Sequence, residues 1–290
     1  MSTIDQELLS LTETVASALD LPRIKQVVLP DKMLSISEAQ AKHDKFGVVV
    51  LGDGSAGFFY RLLDVNPAQL QHYRNTAQSL QNTPLSDAAT LLESDDAFHR
   101  ALALGAINAA TRALFTKARF ELPAKPKQSA TAQGYQSGQS SIGMVGYFHQ
   151  QVSTLRSLGY RVVVLELNPD FHTMEPDLLI SSDMASLDNC ERIYCTASTL
   201  INNTLEGLLT HFSALPRVPH IEIVGPSAGC FPDSLFARGA AVIGGSIIKD
   251  TASTCDRIRR GEPWLEAADK FSLAQSAYPG VDELIGRATS

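Results

Sequence analysis

A chain of 290 residues is long for one compact core, and the usual size of a folding unit points to roughly two. With 44% hydrophobic and 19% charged residues it has a globular composition, and no apolar run approaches the ~20 residues a membrane helix needs. The net charge of −7 and pI near 5.5 would repel a phosphate backbone, so nucleic acid is not an expected partner; Asp5, Glu7 and Glu13 interrupt any signal-like start, so a cytoplasmic location is expected.

Thr3 and Gln6 stand at capping-box spacing, and Ile4, Leu8, Leu11, Val15 and Leu19 recur every three to four residues, predicting an amphipathic helix. Short β-rich runs follow at Gln26–Leu29, Phe46–Leu51 and Gly57–Leu63, the last two joined by the tight-turn signal Gly52-Asp53-Gly54. They predict a small antiparallel sheet. Asn66-Pro67, Pro84 and Ser94 each mark a helix start, and the third helix is expected to end near Thr116. Residues 1–120 are therefore expected to form an α+β domain. On the third helix, Ala101, Gly105, Ala109 and Ala113 permit another helix to approach closely. Asn108 among them is either a satisfied buried amide or a substrate contact facing a cleft between domains.

Residues 121–140 are rich in Pro, Gln, Ser, Ala and Gly without periodicity, and are expected to be a linker or a lid. A different pattern then begins: an apolar strand Ile142–Val145, a turn Gly146-Tyr147-Phe148, a helix His149–Leu158, and a second apolar strand Arg161–Leu165 ending in Glu166. This is the opening unit of a Rossmann-like sheet. Further strands are expected at Asp177–Ile180, Arg192–Thr196, His220–Val224 and Ala240–Ile243, with helices over Ser198–Phe212, Pro232–Arg238 and Thr251–Arg260. The expected fold class is α/β, a Rossmann-like, mainly parallel sheet over residues 141–290 preceded by the smaller α+β domain.

Polar residues gather at the expected carboxyl ends of these strands: Gly146-Tyr147-Phe148-His149, Glu166-x-Asn168, Thr196-x-Ser198-Thr199 and Gly225-Pro226-Ser227. That edge of an open α/β sheet is where ligands bind. Glu166 is placed to accept hydrogen bonds from two vicinal hydroxyls of a nucleoside-like ligand, with Gly143 and Gly146 admitting it. The third glycine of the dinucleotide fingerprint is missing, which disfavours a nicotinamide-dependent oxidoreductase. Tyr147, Asn168, Thr196, Ser198, Thr199, Gly225, Pro226 and Ser227 complete the candidate cofactor-binding set, and Asn108 is the substrate candidate. His149 and Asn202 are the catalytic candidates: His149 as general base, metal ligand or simple helix start, Asn202 because asparagine inside a helix is costly. Cys190, Cys195, Cys230 and Cys255 lack zinc-site spacing and are expected to be buried free thiols; no metal-ligand set is assigned. The expected partner is a small-molecule ligand, a homodimer being left open; neither nucleic acid nor membrane is expected.

Gly143-Met-Val-Gly-Tyr-Phe148, Leu165-Glu-x-Asn-Pro169, Thr196-x-Ser-Thr-Leu-Ile-Asn-Asn-Thr204, Gly225-Pro-Ser227 and, more loosely, Gly105-Ala-Ile-Asn-Ala109 together resemble the family called "putative heavy-metal chelation", once a domain of unknown function. The resemblance implies an enolase N-terminal-like domain followed by a Rossmann-like domain. It also implies partial similarity to Rossmann-like methyltransferases and a part in condensing, hydrolysing or modifying flavin, pterin or siderophore-like compounds. On that basis the unknown ligand is expected to be nucleoside-containing or pterin-like. The competing reading, suggested by the family name, is a non-catalytic binder of a metal or metal chelate through His149 and cysteines. Asn203 stands where glycine is common in this family.

Overall fold

The computed structural model describes residues 2–31, 45–61, 67–126 and 141–290. Helix α1 (Ile4–Ala18) starts at the expected capping box, with the Thr3 hydroxyl accepting from the Gln6 N–H and the Gln6 side chain accepting from the Thr3 N–H. Strands β1 (Ile24–Val28), β2 (Phe46–Leu51) and β3 (Ala56–Tyr60) form an antiparallel sheet in that order. Between β2 and β3, Gly54 takes φ +88° and Asp53 Oδ1 accepts from the Ser55 N–H. Three helices follow: α2 (Pro67–Ser79), α3 (Leu85–Ala89) and α4 (Ala97–Lys117). The last is capped by Asp96, whose carboxylate accepts from the Phe98 and His99 N–H groups; Ser94, the expected start, accepts from the Asp96 N–H instead. Leu62, Leu63 and Asn66, which belong to the expected third strand and second helix start, lie outside the described residues.

Helix α4 is buried along most of its length, as an all-round apolar helix must be. Its small residues admit a sheet, where another helix was expected. A Cβ on Gly57 of β3 would lie 2.5 Å from both Ala109 N and Gly105 O, and one on Gly105 would lie 2.8 Å from Phe59 and Val49.

Among the described residues the second sheet has eight strands: β4 (Ser141–Val145), β5 (Arg161–Leu165), β6 (Thr173–Glu175), β7 (Leu178–Ser181), β8 (Arg192–Thr196), β9 (His220–Val224), β10 (Ala240–Ile248) and β11 (Ala268–Ala274), in the order β11-β10-β9-β8-β4-β5-β7-β6. From β10 to β7 all pairs are parallel, while β6 and β11 add antiparallel edges. The order reverses between β4 and β8, which opens a crevice at their carboxyl ends. The connections include α5 (His149–Ser157), α6 (Ser198–Ile201), α7 (Leu205–Ser213), α8 (Asp233–Phe236), α9 (Thr251–Arg260) and the terminal α10 (Val281–Thr289). The chain is thus α/β, with a large, mostly parallel sheet and a smaller antiparallel one.

Two departures from expectation bear on the site. The helix expected over Ser198–Phe212 is broken, because Asn203 takes φ +56° between α6 and α7. Asparagine is among the few residues that visit this left-handed region readily, and glycine is the other common choice there. The expected linker is also partly sheet. The Lys125 N–H donates to Lys270 O and the Ser272 N–H to Pro123 O, docking the start of that segment on β11, while 127–140, including any lid, lie outside the described residues. One apolar core runs through both halves, from Ile4 and Leu8 through α4 to Ile193, Ile223 and Leu284.

Candidate functional site

After β4 the backbone turns at Gly146, where φ is +86° and a Cβ would come 3.0 Å from Thr196 Cγ2 on β8. Helix α5 begins at once, and its cap residue Phe148 has no side-chain hydrogen bond to the first-turn amides. Glu166 reaches this turn from the end of β5. Its Oε2 accepts from the Tyr147 N–H at 3.1 Å and its Oε1 from the Asn168 N–H at 3.0 Å. Each oxygen retains a further acceptor site, so the half-buried carboxylate can still bind two hydroxyls. The Tyr147 ring is flanked by Phe171 and His149, with centroids 5.3 and 5.8 Å away.

The rim continues on the other side of Gly146. Thr196 Oγ1 and Ser198 Oγ are 3.1 Å apart, and the Thr199 hydroxyl donates to Thr196 O at 2.6 Å, which leaves Thr199 buried and turned inward. The Ala197 N–H donates to Val224 O, and a Cβ on Gly225 would lie 3.4 Å from Ala197 Cβ. Glu166, Tyr147, Gly146, Thr196, Ser198 and Gly225 therefore follow one another along a single edge.

Several expected members stand elsewhere. Gly143 lies inside the sheet, where a Cβ would come within 3.0 to 3.2 Å of Ile193, Leu187 and Cys190; it serves packing and does not face the rim. Asn168 is exposed and caps the following turn, accepting from the Asp170 N–H. Asn202 lies in the α6–α7 break, accepting from the Thr204 hydroxyl at 2.7 Å, so the helix-interior cost that singled it out does not arise. His149 is exposed at the start of α5, with only the Tyr147 ring beside it; among the described residues no hydrogen bond orients it and none joins it to Asn202. Ser227 is buried, and its carbonyl accepts from Asn108 Nδ2, as does Phe58 O; Pro226 lines the same hollow as Asn108. Asn108 thus ties β3 to the loop after β9, and its amide protons are engaged.

Tyr60 went unnoticed in the sequence. Burial pushes its phenol above the ordinary value, Arg61 opposes this, and the charge of Glu166 raises it further, so the end of β3 lies within electrostatic reach of the rim. Nothing local marks Tyr60, because the approach is made by a segment a hundred residues away in sequence.

The four thiols are buried and unpaired. Burial pushes Cys190, Cys195 and Cys230 up to about 12 and raises Cys255 as well. A thiol kept protonated is a poor nucleophile and a poor metal ligand. Among the described residues no three of His, Cys, Asp and Glu gather to hold an ion. At pH 8 the native protein is expected to react with a thiol-specific disulfide reagent far more slowly than the unfolded chain, which should titrate four groups. Because the folded-state values are raised, these thiols favour the native state at neutral pH and lose that effect as pH rises from about 9 towards 12. Rapid native titration would contradict the burial.

Among the described residues no helix is long and apolar enough to cross a membrane. No curated protein matches the sequence. Two solved structures share the fold along almost their whole length. One, from Desulfitobacterium hafniense, is a DUF364-family protein of unknown function, 20% identical, with 93% of this chain and 99% of that one covered at a TM-score of 0.65. The other, from Pyrococcus horikoshii, is also a DUF364-family protein of unknown function, 17% identical, covering 92% and 99% at a TM-score of 0.60. A family model described as "Putative heavy-metal chelation" matches residues 134–274, the stretch that carries β4 to β11 and the whole of the rim. Over these residues the chain is similar to the DUF364 family, and it shares the fold of the two DUF364 structures.

Proposed function

We propose that the chain binds a small molecule carrying vicinal hydroxyls, such as a nucleoside-containing or pterin-like compound, in the crevice between β4, β5 and β8. The observation that carries this reading is the meeting of Glu166 with the Gly146 turn, where the carboxylate accepts from Tyr147 N–H beside an uncapped helix start. Glu166 would hold the hydroxyls, Gly146 would let the ligand near the backbone, and Thr196 and Ser198 would position a second polar group. Tyr147 and Phe171 offer aromatic faces for a planar ring. In this reading residues 1–120 and 141–290 act as two domains joined by 121–140, with the end of β3 closing the rim. The chemistry performed on the ligand would be transfer, condensation or hydrolysis, with the exposed His149, and His172 whose Nε2 lies 3.0 Å from Glu166 O, as acid–base groups at the rim.

A thermal-shift screen tests this. Nucleosides, S-adenosylmethionine or pterins should raise the melting temperature, a ligand at 100 times its Kd contributing about 2.7 kcal/mol. Glu166→Gln should weaken the responding ligand at least tenfold, about 1.4 kcal/mol. It keeps one carbonyl acceptor for the loop and should leave the fold intact. An undiminished response in that variant, or stabilisation by nickel, zinc, cobalt or molybdenum species alone, would overturn the reading in favour of a metal or metal-chelate binder.

A further inference from the structure

A second hollow lies on the far side of the β9 loop, under α4, between β3, β10 and β11. Its walls are mainly apolar, including Phe58, Phe115, Cys230 and Phe271. Its polar side chains are Asn108, Arg112 and Ser246. Asn108 is only 4% exposed, and both hydrogens of its amide are given to carbonyls, Phe58 O at 2.7 Å and Ser227 O at 2.9 Å. Two carbonyl neighbours settle which end of the amide is nitrogen, since the oxygen would be repelled there. Asn108 Oδ1 is therefore a buried acceptor without a donor among the described residues. One helical turn further on, Arg112 is half-buried in the same hollow. Among the described residues it has no ion-pair or hydrogen-bond partner for its guanidinium, and burial alone lowers its pKa.

A buried acceptor and an unpaired cation a turn apart are each costly alone, and one small molecule can reach both. We propose that this hollow binds an α-hydroxycarboxylate, its carboxylate on Arg112 at the mouth and its hydroxyl donating to Asn108 Oδ1 inside. The hollow leaves about 20 Å³ for the centre of a water-sized group, room for a single hydroxyl inside with the rest of the ligand outside. Charge decides between donors, because an ammonium would be repelled by the nearby guanidinium whereas a hydroxyl is not. A phosphate would bring more charge and more acceptor oxygens than one guanidinium serves.

Calorimetric titration of the full chain with glycolate, acetate, glycine and methyl glycolate tests the assignment. Glycolate is expected to bind with a Kd on the order of millimolar, given its few atoms. Acetate, which lacks the hydroxyl, and glycine should bind at least tenfold more weakly, and methyl glycolate, which lacks the charge, should not bind measurably. Arg112→Gln should abolish glycolate binding without lowering the unfolding midpoint, since it removes no ion pair. Equal binding of acetate and glycolate would mean that Asn108 Oδ1 serves a trapped water only, and would overturn the proposal. So would undiminished glycolate binding by Arg112→Gln, or no saturable glycolate binding at all. Glu166→Gln should leave glycolate binding unchanged, so this site and the β4–β5 rim stand or fall separately.

Discussion

Replacing Arg100 by alanine is expected to lower the unfolding free energy by about 4 kcal/mol. The guanidinium is 4% exposed and fully used. Its Nε donates to Ile201 O at 2.9 Å, Nη2 donates to Leu200 O at 2.8 Å, and Nη1 donates to Leu92 O, while Asp5 receives both terminal nitrogens at 2.8 and 3.1 Å. One side chain thus closes the carboxyl end of α6 and fastens it to α1 and to the turn before α4. Truncation strands three buried carbonyls and a carboxylate, each worth about 1–3 kcal/mol when left unmade, with water recovering part of the loss. Arg100→Lys should fall between, because an ammonium keeps the charge without the fork. Urea denaturation followed by the fluorescence of Trp264, the sole tryptophan, and by circular dichroism gives the comparison. A midpoint within error of the parent chain would show that the fork is dispensable.

Gly57→Ala should cost about 3 kcal/mol, at the upper end for an added methyl group in a packed interior. The new carbon would sit 2.5 Å from Ala109 N and from Gly105 O and 2.6 Å from Asn108 Cβ, well inside contact distance, and the obstacles are mostly helix backbone that cannot rotate aside. Relief requires α4 to lift from β3. That movement would stretch the Asn108 to Phe58 hydrogen bond, so glycolate binding should weaken along with stability. Gly207→Ala is the matched control: it lies in α7, exposed, with nothing within 4 Å of the added carbon, and should stabilise by about 0.5–1 kcal/mol. Comparable midpoints for the two variants would contradict the close approach of α4 and β3.

What could be read from the chain alone was what local chemistry decides. The Thr3/Gln6 capping box, the Asp53-Gly54 turn and the apolar runs of β4, β5 and β8 each act over a few residues, and each forms as expected. The rim of Gly146, Glu166 and Thr196 was legible for the same reason: strand ends announce themselves, and a parallel sheet gathers them. What escaped depends on distant partners. Gly143 looked like a ligand glycine because its neighbours Leu187 and Cys190 arrive from another segment. Strand β11 carries charges at Asp269 and Lys270, which an edge tolerates, and nothing nearby signals its pairing with β10. Helical spacing of Leu205, Leu208, Leu209 and Phe212 hid the interruption before them, since periodicity does not register one left-handed residue. Arg112 was within reach of sequence reasoning, as it follows Asn108 at the interval that shares a helix face.

The position of α4 has a consequence for how this protein can be divided. The family match begins at residue 134, after α4 has ended, yet the apolar side chains Leu200, Ile201 and Ile223 share a core with it. A gene fragment starting at that boundary would lose Arg100, which closes the end of α6, and the part of the shared apolar core that α4 supplies. Shuffling, truncation or fusion of this chain should therefore carry the helix along with the sheet, whatever the sequence boundary suggests.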